Sequence, residues 1–166
     1  MDGENKARIS DLERWLSPPK GGLWHGGPSV ISALRGVKAE TAAWRPNPDR
    51  HTIWELVLHI AYWKYAIRRR IEDTERGGFP RRPSDWPTQP ETPNETAWRA
   101  DRALLKSEHE QLVALVADFP ADRLDDMSRG ANQWSFMDLL SGAVLHDTYH
   151  VGQIQLMKRL YRAVAP

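Results

Sequence analysis

Three histidines are the residues of this sequence best placed to do chemistry. His146 and His150 form an H-x-x-x-H pair, and His59 lies far upstream in the apolar segment 53–63. If both segments are helical, the pair lies on one helix face, one turn apart, and His59 lies on the inward face of another helix. Three imidazoles directed into one helix bundle predict a divalent metal site with coordination positions left for water or substrate.

A structural role is the alternative for each of these histidines. A buried imidazole costs free energy unless its nitrogens are satisfied, and carboxylates or carbonyls in a core can satisfy them as a metal does. This alternative is strongest for His59 taken alone. Asp147 points about 100° away from His146 around the helix, so it is not placed as the general base of an H-E-x-x-H protease. We expect Asp147 to be solvated or salt-bridged, with support of a metal ligand as its other possible role.

The remaining histidines give weaker indications. His25 lies in the glycine-rich turn 21–27, either as a surface residue or as a side chain that reaches a site at the end of the bundle. His51 immediately precedes a helix cap. His109 lies between Glu108 and Glu110, so we expect it to be solvated.

Bulk composition limits both the chemistry and the partners. The chain has 166 residues, a formal net charge of +1 and no cysteine. Any metal must therefore be held by nitrogen and oxygen ligands, and a thiol nucleophile would have to come from a small molecule. A net charge this small does not favour nucleic-acid or membrane partners, and clusters such as 68–70 and 81–82 are expected to be solvated arginines. The sequence predicts one domain, 1–166, in the cytoplasm.

Apolar residues recur with helical spacing through almost the whole chain, which predicts an all-α fold. We expect a short N-terminal helix at 5–16, then a helix that begins at Pro28 and continues through Val37. Capping boxes predict that the next two helices begin near Thr52 and Thr92, the first fading at Gly77-Gly78. The last helix should begin at Ser135 and carry the small pair 142–143, where another helix can come close.

Residues 77–91 are rich in proline and glycine, which predicts a long crossover between the second and third bundle helices. Such a connection is either a mobile linker or a functional loop in which Phe79 and Trp86 cover a pocket. The eight tryptophans of the chain have the same two readings, since most should pack in the core and some should line a pocket.

Several segments together resemble the DinB-like superfamily. They are the stretches 24–29, 51–59, 85–87 and 146–154, of which the two histidine segments are the most specific. The resemblance runs from about Trp24 to Leu160. It implies a four-helix bundle with a long crossover, often homodimeric, in which one histidine of the second bundle helix and two of the fourth bind a divalent metal. By this resemblance the ligands are His59, His146 and His150.

The resemblance implies a range of reactions. Some members are thiol-dependent transferases or isomerases that use bacillithiol, mycothiol or glutathione, and others are described only as metal-dependent hydrolases. For this chain we expect a divalent ion, nickel or zinc first and iron or manganese as alternatives, that activates water or a low-molecular-weight thiol towards a small-molecule substrate. A non-catalytic metal-binding or stress-response module is the competing hypothesis.

Overall fold

Helices make up the regular structure of the chain in the computed structural model, which describes residues 2–19, 27–75, 78–129 and 133–164. Among these residues no β-strand forms, and one isolated bridge pairs Met127 with Ser135. The all-α prediction is confirmed. The helices are α1 (Asp2–Leu16), α2 (Val30–Ala33), α3 (Ala39–Ala43), α4 (Ile53–Glu72), α5 (Glu95–Ala117), a short 3₁₀ helix (Ala121–Arg123) and α6 (Phe136–Val164).

Four long helices pack side by side as a bundle. Helix α4 contacts both α5 and α6, and α1 contacts both α5 and α6. The segment expected to form a helix from Pro28 to Val37 contains only the four-residue α2, so the N-terminal helix is the fourth long helix. None of the described helices combines the length and apolar character needed to cross a bilayer.

Two buried tryptophans join α4 to α5 in the core. The rings of Trp54 and Trp98 lie 5.1 Å apart between centroids. Trp54 Nε1 donates to Asp101 at 2.7 Å, and Trp98 Nε1 donates to the Val37 carbonyl at 2.8 Å. A buried indole N–H is costly without an acceptor, and both tryptophans have one. Both rings therefore serve core packing.

The helices that carry the three histidines begin where the sequence predicts. Thr52 caps α4 in a reciprocal box with Glu55. Ser135 and Asp138 exchange the same pair of hydrogen bonds at the start of α6. Each box satisfies backbone N–H groups that the first turn of a helix leaves without a partner.

Other boundaries differ from prediction for local reasons. Helix α5 is capped by Asn94 rather than Thr92, because Asn94 accepts the Ala97 N–H and Glu95 turns to accept the Ala39 N–H of α3. Helix α4 ends at Glu72, ahead of the predicted glycines, since Asp73 takes a left-handed conformation (φ 54°). The predicted helix after Pro28 ends at Ala33, and Gly36, whose φ is 74°, lies in the turn that follows.

A polar cluster lies inside the bundle beside the histidines of α6. Lys64 of α4 is 2% exposed, and its Nζ lies 2.6 Å from Asp147 Oδ2 of α6. His109 of α5 is buried next to this pair, so the expectation of a solvated His109 was wrong. The flanking Glu108 is buried as well and pairs with Arg68, because this side of α5 faces α4 rather than solvent.

Acidification should destabilise the fold through His109. Burial, together with the charge of Lys64, lowers the pKa of His109 to about 4, whereas an unfolded histidine titrates near 6.5. Between these values the unfolded chain binds a proton that the folded chain does not. Stability should therefore fall as the pH drops from about 6.5 to 4, by about 3 kcal/mol from this group.

Urea unfolding of native protein and of His109→Leu between pH 7 and pH 4 measures this contribution. We expect the acid-dependent loss to be smaller in His109→Leu by about that amount, because leucine cannot take up the proton. Parallel pH profiles in the two proteins would show that His109 is not held neutral by the fold.

Candidate metal centre

The three predicted histidines meet at one point between α4 and α6. His59 Nε2 lies 3.1 Å from His146 Nε2, and His146 Nε2 lies 3.1 Å from His150 Nε2. His59 and His150 are 5% and 3% exposed, while His146 is half-buried. The described residues contain no carboxylate in this cluster, which consists of the three imidazoles.

Two of the imidazoles are held in place by hydrogen bonds from Nδ1, the ring nitrogen that faces away from the cluster. The Nδ1–H of His59 donates to the Asp85 carbonyl at 2.6 Å, and the Nδ1–H of His150 donates to Gln153 Oε1 at 2.7 Å. With the proton on Nδ1, each Nε2 presents a lone pair towards His146. A neutral His146 has at most one proton on Nε2 and cannot satisfy both lone pairs, whereas a cation between them can.

Burial keeps these imidazoles in the form that binds metal. It lowers the pKa of His146 to about 3, and the neighbouring His150, His59 and Lys64 act in the same direction. Burial also lowers the pKa of His59 and of His150 from the usual 6.5. All three rings are therefore neutral at pH 7, as metal coordination requires.

Two of the nitrogen spacings fit coordination by one ion, and the ligand nitrogens of all three histidines lie within 4.8 Å of one another. Two nitrogens that each lie about 2.1 Å from a metal are about 3.0 Å apart at a right angle and about 3.4 Å apart at a tetrahedral angle. The two observed spacings of 3.1 Å fall within this range. Three ligands leave at least one position for another donor, so the cluster has the arrangement of open metal centres rather than of closed structural ones.

A cavity of about 490 Å³ opens directly onto the cluster. All three histidines line it, and its remaining walls are largely apolar, with Trp63, Trp134, Ile67 and Leu139 among them. This size is typical of small-molecule pockets. A second cavity, of about 640 Å³, shares His150, Trp86 and Tyr149 with the first.

The connection between α4 and α5 supplies one wall of the site. The Trp86 ring stacks on His59 with centroids 3.7 Å apart and planes 11° apart, and it stacks equally closely on His51. Asp85, at φ 68°, presents its carbonyl to His59 and its Oδ1 to Trp63 Nε1 at 2.7 Å. Of the two predicted pocket residues, Trp86 contacts the site, while Phe79 is buried against Tyr62 and Tyr65.

Other sequence predictions about this region have mixed outcomes. Asp147 is salt-bridged and buried rather than solvated. Ala143 packs in the core as expected, but Gly142 is exposed and lines the cavity with open space around it, so none of the described helices packs against it. The predicted roles of Trp24 and His25 fall outside the described residues.

The contacts made by Asp85 and His51 have no sequence signal of their own. Asp85 acts through its backbone carbonyl, which any residue has. His51 and Trp86 lie 35 positions apart and meet only because the connection folds back over α4. Trp63 lies one turn after His59 in the apolar segment 53–63, and this spacing places both residues on one helix face.

Comparison with known proteins identifies a family for the chain. No curated protein and no solved structure matches the chain. The family model of the DinB superfamily matches residues 29–154, well over half of the sequence and a range that contains all three histidines. The chain belongs to the DinB superfamily.

Proposed function

We propose that the chain is a divalent-metal-dependent enzyme whose ligands are His59, His146 and His150. A Ni²⁺ or Zn²⁺ ion there, with Fe²⁺ or Mn²⁺ as alternatives, supplies a Lewis acid that makes water or a low-molecular-weight thiol nucleophilic near neutral pH. The reaction is then hydrolysis, or transfer of a thiol sulfur to an electrophilic carbon with loss of a leaving group.

The observation that carries this proposal is the opening of a three-histidine cluster onto an apolar cavity of about 490 Å³. Neutral ligands leave the full double charge on a bound ion, which favours an anionic further ligand such as a thiolate. The protein orients the ligands through the Asp85 carbonyl and Gln153, and tryptophan side chains line the cavity beside the reacting atoms.

Assays of metal-loaded protein separate the two reactions. An aryl halide is offered with and without a low-molecular-weight thiol such as glutathione, and an activated ester is offered without thiol. Consumption of the halide only when thiol is present supports an S-transferase, and ester hydrolysis without thiol supports a hydrolase. His146→Ala is the control in both assays, and turnover that is equal in this variant would contradict the proposal.

A non-catalytic metal-binding or stress-response module is the competing function. It is favoured by the state of the carboxylates at the cavity, because each already accepts a hydrogen bond within the protein. Asp85 accepts from Trp63, and Asp138 accepts from Ser135, which also lowers the Asp138 pKa. Metal binding without turnover in the same assays supports this function.

We also propose that the chain forms a homodimer through α6. Large apolar side chains are exposed along one side of this helix, including Leu145, Tyr149 and Leu156, which are 69%, 65% and 56% exposed. Their spacing of four and seven residues places them on one face. Sedimentation equilibrium measures the mass, and a monomer at all concentrations would refute the dimer.

A further inference from the structure

One cationic side chain in the cavity forms no ion pair with the residues that the structure describes. Arg70 of α4 lines the cavity together with the three histidines, and it is half-buried. Within the described part of the chain it forms no ion pair and donates no hydrogen bond, whereas Arg68 pairs with Glu72 and Glu108. The sequence led us to expect a solvated arginine at position 70, and the structure places it at the cavity instead.

Aromatic rings hold the Arg70 guanidinium. Its Cζ lies 6.0 Å from the centroid of Trp63 and 5.9 Å from that of Trp134. Contacts between a guanidinium and ring faces leave its in-plane N–H donors available. Those donors match the two oxygens of a carboxylate, and a partly desolvated guanidinium gains more from such a partner than one in water.

The distances also bring Arg70 into reach of the histidine cluster. The Trp63 ring lies 6.1 Å from the His146 ring and 6.0 Å from the Arg70 Cζ. A molecule of one or two rings can therefore contact Arg70 at one end and the cluster at the other. Between them the walls are Trp63, Trp134, Ile67 and Leu139, which suit a flat apolar body.

Space for that body is provided by Gly142, one turn before His146. A Cβ built at Gly142 meets nothing within 4 Å, so the absence of a side chain there is not required by packing. Glycine inside a helix costs about 1 kcal/mol relative to alanine. At this position its effect is to keep the wall of the cavity open beside the cluster.

We infer that the substrate is an aromatic carboxylic acid, whose carboxylate pairs with Arg70 and whose ring system lies among the tryptophans. The inference rests on the proposed function, because it names the substrate of that site. Asp85 and Asp138 also line the cavity, but their carboxylates accept hydrogen bonds from Trp63 and Ser135, and neither pairs with Arg70.

Calorimetry tests this assignment by comparing the binding of 2-naphthoate with that of its neutral isostere 2-naphthamide. A chelator is present, so that bound metal does not contribute. The native protein should prefer naphthoate by at least tenfold, and Arg70→Met should bind both equally. Arg69→Met is the matched control, since Arg69 donates to the Thr74 carbonyl and does not line the cavity. No preference in the native protein, or one that survives in Arg70→Met, overturns the inference.

A second pair of variants tests the location without altering charge. Gly142→Leu should abolish binding of both probes by filling the cavity, and Gly152→Leu, at an exposed glycine of the same helix outside the cavity, should leave binding unchanged. Undiminished binding in Gly142→Leu overturns the location. Metal content is measured separately, so a protein that binds naphthoate through Arg70 but no metal would refute the proposed function alone. Metal binding without the Arg70 preference would refute only the substrate class.

Discussion

His146→Ala is expected to lower the affinity of the protein for Ni²⁺ or Zn²⁺ by at least about a hundredfold. Even loss of an outer residue that orients a ligand typically costs 10- to 100-fold, and His146 is the ring that the other two face. Its Nε2 lies 3.1 Å from that of His59 and from that of His150, so its removal leaves two ligands without a shared third. Competition with a chromophoric chelator measures the affinity, and elemental analysis measures the metal retained on purification.

Two further variants show whether the loss of metal affinity depends on how directly a residue supports the cluster. Gln153→Ala removes only the acceptor that orients His150, so we expect a smaller loss, on the order of tenfold. Arg69→Met is the control, because Arg69 donates to the Thr74 carbonyl away from the cluster and should leave the affinity within about twofold. Equal metal content in native protein and His146→Ala would refute the metal centre.

The cluster was predictable because its geometry is mostly local. A spacing of four residues fixes His146 and His150 on one helix face wherever that helix packs. Capping boxes at Thr52 and Ser135 then fixed where the two helices begin, and the apolar stripes fixed which faces turn inward. Only the final step, that His59 meets the pair, required an assumption about packing, which the family resemblance supplied.

Long-range contacts explain where prediction failed. His109 lies between two glutamates, and its neighbours in sequence indicate a solvated surface, yet this side of α5 packs against α4. Arg70 resembles any arginine in a basic run until Trp134, more than sixty positions later, comes beside it. The backbone conformation of Asp85, which delivers a carbonyl to His59, is not encoded by its residue type.

The buried Lys64–Asp147 pair is expected to give the largest effect on stability. Lys64→Met should lower the free energy of unfolding by 3–5 kcal/mol, the range typical for removal of one partner of a buried ion pair. Its Nζ lies 2.6 Å from Asp147 Oδ2, and Asp147 Oδ1 has no hydrogen-bond partner among the described residues, so the variant leaves a buried carboxylate without a donor. Urea unfolding in the presence of chelator measures the change without a contribution from bound metal.

Two comparisons identify the cause of that loss. Lys106→Met breaks an exposed pair with Glu110, at 3.6 Å on α5, and should change stability by less than about 1 kcal/mol. The double variant Lys64→Met/Asp147→Leu should recover much of the loss, because both charges are then gone from the core. If the double variant were as unstable as the sum of the two single variants, the charge pair would not be the cause.

The position of this pair links stability to the metal centre. Lys64 follows His59 on α4 and Asp147 follows His146 on α6, so the ion pair joins the same two helices that bring the ligands together. Lys64→Met should therefore also weaken metal affinity, although neither residue belongs to the cluster. The double variant should restore affinity along with stability, because an apolar contact can hold α4 against α6 as the ion pair does. If the double variant regains stability but not metal affinity, Asp147 acts directly on its neighbour His146.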